Sequence, residues 1–142
     1  MATELADPQT DRPSMSLDGA RFRISKAVTF EAAHFMGAKP EGHPYRNLHG
    51  HSFRLEASVA GHVRAGEEWV EDYSALTSAL EALAGELDHR LLNEIEGLEV
   101  PTLERLAFWA AGRLKADLPG LSAVTLERPS LSERCTLELD GS

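Results

Sequence analysis

The stretch Leu48-His49-Gly50-His51-Ser52-Phe53-Arg54-Leu55-Glu56-Ala57-Ser58-Val59-Ala60 alternates along its length. His49, His51, Phe53, Leu55, Ala57 and Val59 share one parity, and Gly50, Ser52, Arg54, Glu56 and Ser58 take the other. Successive strand side chains point to opposite faces, so this period of two predicts a half-buried strand with both histidines on its apolar face. A second alternating stretch precedes it: in Arg21–His34 the residues Phe22, Ile24, Val28, Phe30, Ala32 and His34 share one parity. If the two strands are neighbours, three imidazoles converge at the rim of an apolar sheet. A lone His34 reads as a satisfied core histidine, but the trio does not. An unpartnered polar group there costs roughly 1–3 kcal/mol, and coordination removes that cost. Three neutral imidazoles with a fourth position left open suit catalytic zinc. Imidazole also suits iron, nickel and copper, so ligand type leaves those open.

Outward from the two strands, the chain divides simply. Met1–Gly19 is polar and carries Pro8 and Pro13 without periodicity, which predicts a mobile tail over about 1–20 ahead of a single domain at 21–140. The connection Phe35–Asn47 carries Gly37, Pro40, Gly42 and Pro44; a structureless loop this long in a compact domain is often functional. Asp72 is a good N-cap for a helix running to about Ala84, with Tyr73, Leu76, Leu80 and Leu83 as its buried stripe and Gly85 as its stop. Thr102 caps a second helix with stripe Leu103, Leu106, Ala107, Ala110 and Leu114, ended by Pro119-Gly120. Strands near Leu121–Arg128 and Glu133–Leu139, turning at Pro129-Ser130, close the chain. The order β-β-α-α-β-β predicts an α+β domain, an antiparallel sheet with both helices on one face.

Composition narrows the function. At 142 residues, with 42% hydrophobic and 26% charged residues, the chain is one domain able to bury its own core. A formal net charge of −9 argues against a nucleic-acid partner, and any anionic substrate must be drawn in by local Lys or Arg. No stretch approaches the ~20 apolar residues of a membrane span, and no apolar signal core begins the chain. Cys135 is the sole cysteine, which fits a reducing compartment; the expected address is the cytoplasm.

Between the helices lies Leu87-Asp88-His89-Arg90-Leu91-Leu92-Asn93. Its Asp-His pair is a possible acid/base, although exposed pairs of this kind are common and usually idle. By its own chemistry Pro101-Thr102-Leu103-Glu104 is a helix start with an acid in the first turn, and Glu127 a solvated strand-end charge. Together with Phe30-Glu31-Ala32-Ala33-His34, Glu41-Gly42-His43, Leu48-His49-Gly50-His51-Ser52-Phe53 and Trp69-Val70-Glu71-Asp72-Tyr73, these pieces stand in the order and spacing of the 6-pyruvoyl-tetrahydropterin synthase family. The chain resembles that family from about Arg21 to Leu139, and its bacterial 6-carboxy-tetrahydropterin synthase branch most.

The resemblance implies the tunnelling fold, in which such subunits form trimeric barrels that stack into hexamers. It implies zinc on His34, His49 and His51, and a small-molecule site between subunits. There Glu127 would hold the pterin ring, helped by Thr102 and Glu104, while Asp88 and His89 form an acid/base relay. Family members act on dihydroneopterin triphosphate: zinc polarises side-chain hydroxyls, a base moves protons from carbon, and triphosphate or acetaldehyde leaves.

The sequence departs from the family in two places. The bacterial branch carries a catalytic cysteine four residues before His-Gly-His, where this chain has Tyr45. Cys135 falls where the family has an aromatic residue in the last strand. A tyrosinate near a cation is one substitute base, with Glu41 and His43 as rivals in the same loop. Arg128 stands where a small hydroxyl residue is usual and, with Arg46 and Arg90, would offset the negative background for an anion. Three readings follow: a pterin lyase with Tyr45 or His89 covering for the thiol; the same zinc site turned to another substrate or reaction (aldolase, epimerase or cyclase); or a zinc-binding assembly subunit without catalysis. Asp88, His89 and Glu127 together speak against the third, and Glu127 for pterin chemistry.

Overall fold

The computed structural model describes residues 16–37 and 39–139. The first strand, β1 (Arg21–His34), pairs antiparallel with β2 (His49–His62) in the register that sets His34 opposite His49 and Ala32 opposite His51. β2 pairs with β3 (Leu121–Arg128), and β3 with β4 (Glu133–Glu138), giving one antiparallel sheet in the order β1-β2-β3-β4. Between β2 and β3 run α1 (Tyr73–Leu87) and α2 (Leu103–Leu114). Residues 1–15 of the expected tail lie outside the described residues; 16–20 form a turn in which Ala20 N–H donates to the Leu17 carbonyl.

The parity rule explains the layers. Phe30, Phe53, Leu55, Val124 and Leu126 lie on one face of the sheet and pack with Leu76, Leu80 and Leu83 of α1 and Leu106, Ala107 and Leu114 of α2. Each helix starts on a capped N–H: Asp72 accepts from Ser74 N–H at 2.8 Å, and Thr102 Oγ1 from Arg105 N–H at 3.0 Å. The helix-free face is polar and cross-linked by Ser25–Ser58 and Thr125–Thr136 hydroxyl pairs, each at 2.8 Å. An antiparallel sheet with one greasy and one polar face needs this alternation.

Several expected boundaries shift. Gly85 does not stop α1, which runs on to Leu87, because Leu87 is buried in the core and its packing outweighs the roughly 1 kcal/mol that a glycine costs in a helix. α2 ends at Leu114, before Pro119-Gly120, and Leu118 continues into the core beyond it. The loop after β1 is not structureless: Pro44–Arg46 forms a 3-10 turn, and Arg46 Nη1 donates to the carbonyls of Gly37 and Lys39 at 3.1 and 3.0 Å. That staple engages the Arg46 Nη1 group.

Candidate metal centre and its two clefts

Cross-strand pairing of His34 and His49, with His51 two residues on, brings three imidazoles to one point. Their ring centroids lie 4.6, 4.9 and 4.7 Å apart, with planes inclined at 67°, 87° and 86°, a propeller around a common centre. One ligand nitrogen from each lies within 4.8 Å of the others. Phe53 floors the site, 5.7 Å from His51 and 6.1 Å from His34, and stacks on Phe30 beneath.

The hydrogen bonds decide what those nitrogens can do. His34 Nδ1 faces the Pro101 carbonyl at 3.3 Å and His49 Nδ1 the Asn47 carbonyl at 2.6 Å. A carbonyl only accepts, so each Nδ1 carries the proton and each neutral ring presents a bare Nε2. Those two Nε2 atoms are 3.0 Å apart. His51 Nε2 is buried with no partner. Burial, then the neighbouring His49 and His51, lowers His34 from 6.5 to about 4, and burial followed by His49 lowers His51 as well. Neutral rings with lone pairs converging in a dry place repel one another unless a cation lies among them. A tetrahedral zinc with Zn–N of about 2.0–2.1 Å spaces its nitrogens about 3.3 Å apart, so the donor set fits the ion.

The other expected residues distribute around this centre. Tyr45 stacks on His49, with centroids 5.6 Å apart and planes at 26°, and His43 packs edge-on against Tyr45 at 5.1 Å. Tyr45, Thr102 and Glu104 line one cleft of about 290 Å³. His51 and His89 line a second, of about 580 Å³. Asp88 Oδ2 lies 3.0 Å from His89 Nδ1, and the Glu31 backbone N–H, then His89, hold its carboxyl below the usual range. His89 itself is pinned at φ +60°, its N–H donating to the Glu31 carbonyl at 2.6 Å.

Glu127 is not brought to the triad. It points to the helix-free face, where Arg54 Nη1 contacts it at 2.5 Å and Arg134 lies 3.9 Å away, so it is a paired, half-buried group and not a solvated strand-end charge. Cys135 lines the smaller cleft, yet burial, then Glu104, raises its thiol, which leaves it a poor replacement for a thiolate. Arg90 donates to the Glu86 carbonyl at 3.4 Å. The Arg128 charge adds a small contribution to the lowering of His34 and His51.

Three positioning groups escaped the sequence. The Pro101 and Asn47 carbonyls orient two of the rings, and no side-chain pattern advertises a carbonyl. Asn93 clamps the residue after His34: its Oδ1 accepts from Phe35 N–H at 3.0 Å and its Nδ2 donates to the Phe35 carbonyl at 2.9 Å. The Leu-Leu-Asn end of its motif was the available signal.

The sequence model described as 6-pyruvoyl tetrahydropterin synthase matches residues 23–139. A dihydroneopterin monophosphate aldolase of Pyrococcus furiosus is 38% identical over 111 residues, 78% of this chain and 89% of that protein. A 6-carboxy-5,6,7,8-tetrahydropterin synthase of Synechocystis sp. is 41% identical over 119 residues, 80% of this chain and 87% of that protein. The solved 6-pyruvoyl tetrahydropterin synthase of Caenorhabditis elegans shares the fold, with a TM-score of 0.76 at 21% identity over 87% of this chain and 99% of that one.

Proposed function

The chain belongs to the 6-pyruvoyl tetrahydropterin synthase family, and from that premise we propose that it is a zinc-dependent lyase acting on the side chain of a reduced pterin such as dihydroneopterin triphosphate. The observation that carries this reading is the set of bare, converging imidazole nitrogens on His34, His49 and His51, which would hold the metal. When bound, zinc supplies a Lewis acid that polarises a side-chain hydroxyl.

The chain's own groups would move the protons. Asp88 would accept from His89 Nδ1–H and so leave Nε2 of His89, a residue lining the larger cleft, to act as a base. Tyr45, stacked on His49, would offer a phenol at the smaller cleft. Thr102 and Glu104 would contact the ring from the smaller cleft. Glu127 would take the ring's N–H edge only where another subunit brings it to a cleft, since within one chain Arg54 holds it. That separation supports a site shared between copies of the chain.

A second reaction on the same site is aldol cleavage, the activity in the Pyrococcus relative's name. A base takes the proton of the 2′-hydroxyl, the C1′–C2′ bond breaks, and the electron pair on C1′, conjugated with the ring, collects a proton. A two-carbon aldehyde leaves, and the ring keeps a one-carbon hydroxymethyl arm. Zinc-loaded protein incubated with dihydroneopterin triphosphate distinguishes the reactions by product mass. Release of triphosphate or acetaldehyde supports the synthase-type reaction, and a hydroxymethyl pterin the aldolase. Unchanged substrate, with the dihydroneopterin esters as well, contradicts the lyase reading.

A further inference from the structure

His43 has no part in the lyase reading, yet it is the side chain that holds Tyr45. It precedes the 3-10 turn Pro44–Arg46 and caps it: its Nδ1 accepts from Tyr45 N–H at 3.1 Å. An amide only donates, so Nδ1 presents its lone pair and the neutral ring keeps its proton on Nε2. With one nitrogen engaged and the other protonated, the ring has no lone pair for a substrate proton. That takes His43 out of the rival bases of its loop. The bond it makes instead is the return to the backbone two residues on that Asn makes in a turn. The same imidazole lies edge-on to the Tyr45 ring, with centroids 5.1 Å apart and planes at 61°. Backbone bonds frame this contact: Met36 N–H donates to the Tyr45 carbonyl at 2.7 Å, and Arg46 N–H to the His43 carbonyl at 3.0 Å.

Resting on the lyase reading, we propose that His43 is a positioning residue: its Nδ1 lone pair fixes the turn that lays the Tyr45 ring on His49, and so sets where the Tyr45 phenol meets the substrate. Tyr45 is followed by Arg46, whose Nη1 bonds the Gly37 and Lys39 carbonyls, so the turn is tied to the loop beyond it. The Tyr45 N–H is the tie that a side chain supplies, and a single substitution removes it. Losing an N-cap shifts a local equilibrium by about 2- to 30-fold, and a displacement of about 1 Å in a reacting group costs up to roughly 100-fold in rate. A cap one residue away from the phenol's own backbone therefore acts on turnover through Tyr45 alone.

The test follows turnover of dihydroneopterin triphosphate and monophosphate by zinc-loaded wild type, His43→Phe and His43→Asn, each alone and combined with Tyr45→Phe. His43→Phe keeps an aromatic ring beside Tyr45 but removes the acceptor; His43→Asn removes the ring and keeps an acceptor in the same place. His43→Phe is expected to lower kcat about 5- to 30-fold with KM within about twofold, and His43→Asn to stay within about threefold of wild type. In the Tyr45→Phe background His43→Phe is expected to cost nothing further, because both substitutions act on one group. Unchanged kcat in His43→Phe, a His43→Asn variant as slow as His43→Phe, or the same His43→Phe loss with and without the Tyr45 hydroxyl overturns the proposal. If no pterin is turned over, the lyase reading fails separately, and the nuclear Overhauser contact between the Tyr45 and His49 rings decides. Its loss in His43→Phe and persistence in His43→Asn upholds the positioning role; its persistence in His43→Phe, or its loss in both, overturns it.

Discussion

Tyr45 stacks on the His49 imidazole, with ring centroids 5.6 Å apart. If it moves a proton, Tyr45→Phe lowers turnover by 10²-fold or more while zinc content and assembly stay as in wild type. Turnover within twofold of wild type would remove Tyr45 from the chemistry and leave His89. At this scale the sequence was informative about side chains and silent about carbonyls. His34, His49 and His51 were legible because strand parity alone fixes their face. The Pro101 and Asn47 carbonyls that set their tautomers were not, since one lies 67 residues away from its ring and neither has a side-chain signature. Arg128 was legible as an oddity, but its pairing with Glu133 depended on a turn whose geometry, with Ser132 at φ +55°, no spacing announces.

The segment that follows α1 joins the two halves of the site. Its backbone docks on the β1 edge through Ala33 N–H to the Arg90 carbonyl at 3.0 Å and His89 N–H to the Glu31 carbonyl, so Asp88, His89 and Asn93 ride on the strand that ends in His34. Asn93→Ala removes both bonds to Phe35 and should lower stability by about 1–3 kcal/mol, read as a reduced urea midpoint, with weaker zinc retention. Asp72→Ala is the comparison: it removes a helix cap far from the triad, costs about 1 kcal/mol, and leaves zinc retention untouched. Equal zinc retention in both variants would deny the segment its positioning role. The helix periodicity found α1 and α2 but misjudged their ends, because Leu87 and Leu118 are held by tertiary packing that a local rule does not see.

In the sheet β1 and β4 are the outer strands, Tyr45 and His89 line different clefts, and Glu127 is paired with Arg54. One chain thus holds the parts of a site that copies would complete, and light scattering should give three or six times the 15.5 kDa chain; a monomer would contradict the shared site. Metal-free protein should also report the buried imidazole. His34 has a pKa of about 4 when folded against about 6.5 unfolded, so the unfolded chain binds more protons between those values. Stability from this source is complete above pH 6.5 and is lost as pH falls toward 4, which denaturant melts across that range would follow. The most direct measurement is metal content after dialysis at neutral pH, wild type beside His51→Ala. One zinc per chain in wild type, falling well below half in the variant, is the predicted result; metal-poor wild type, or full zinc in His51→Ala, contradicts the account.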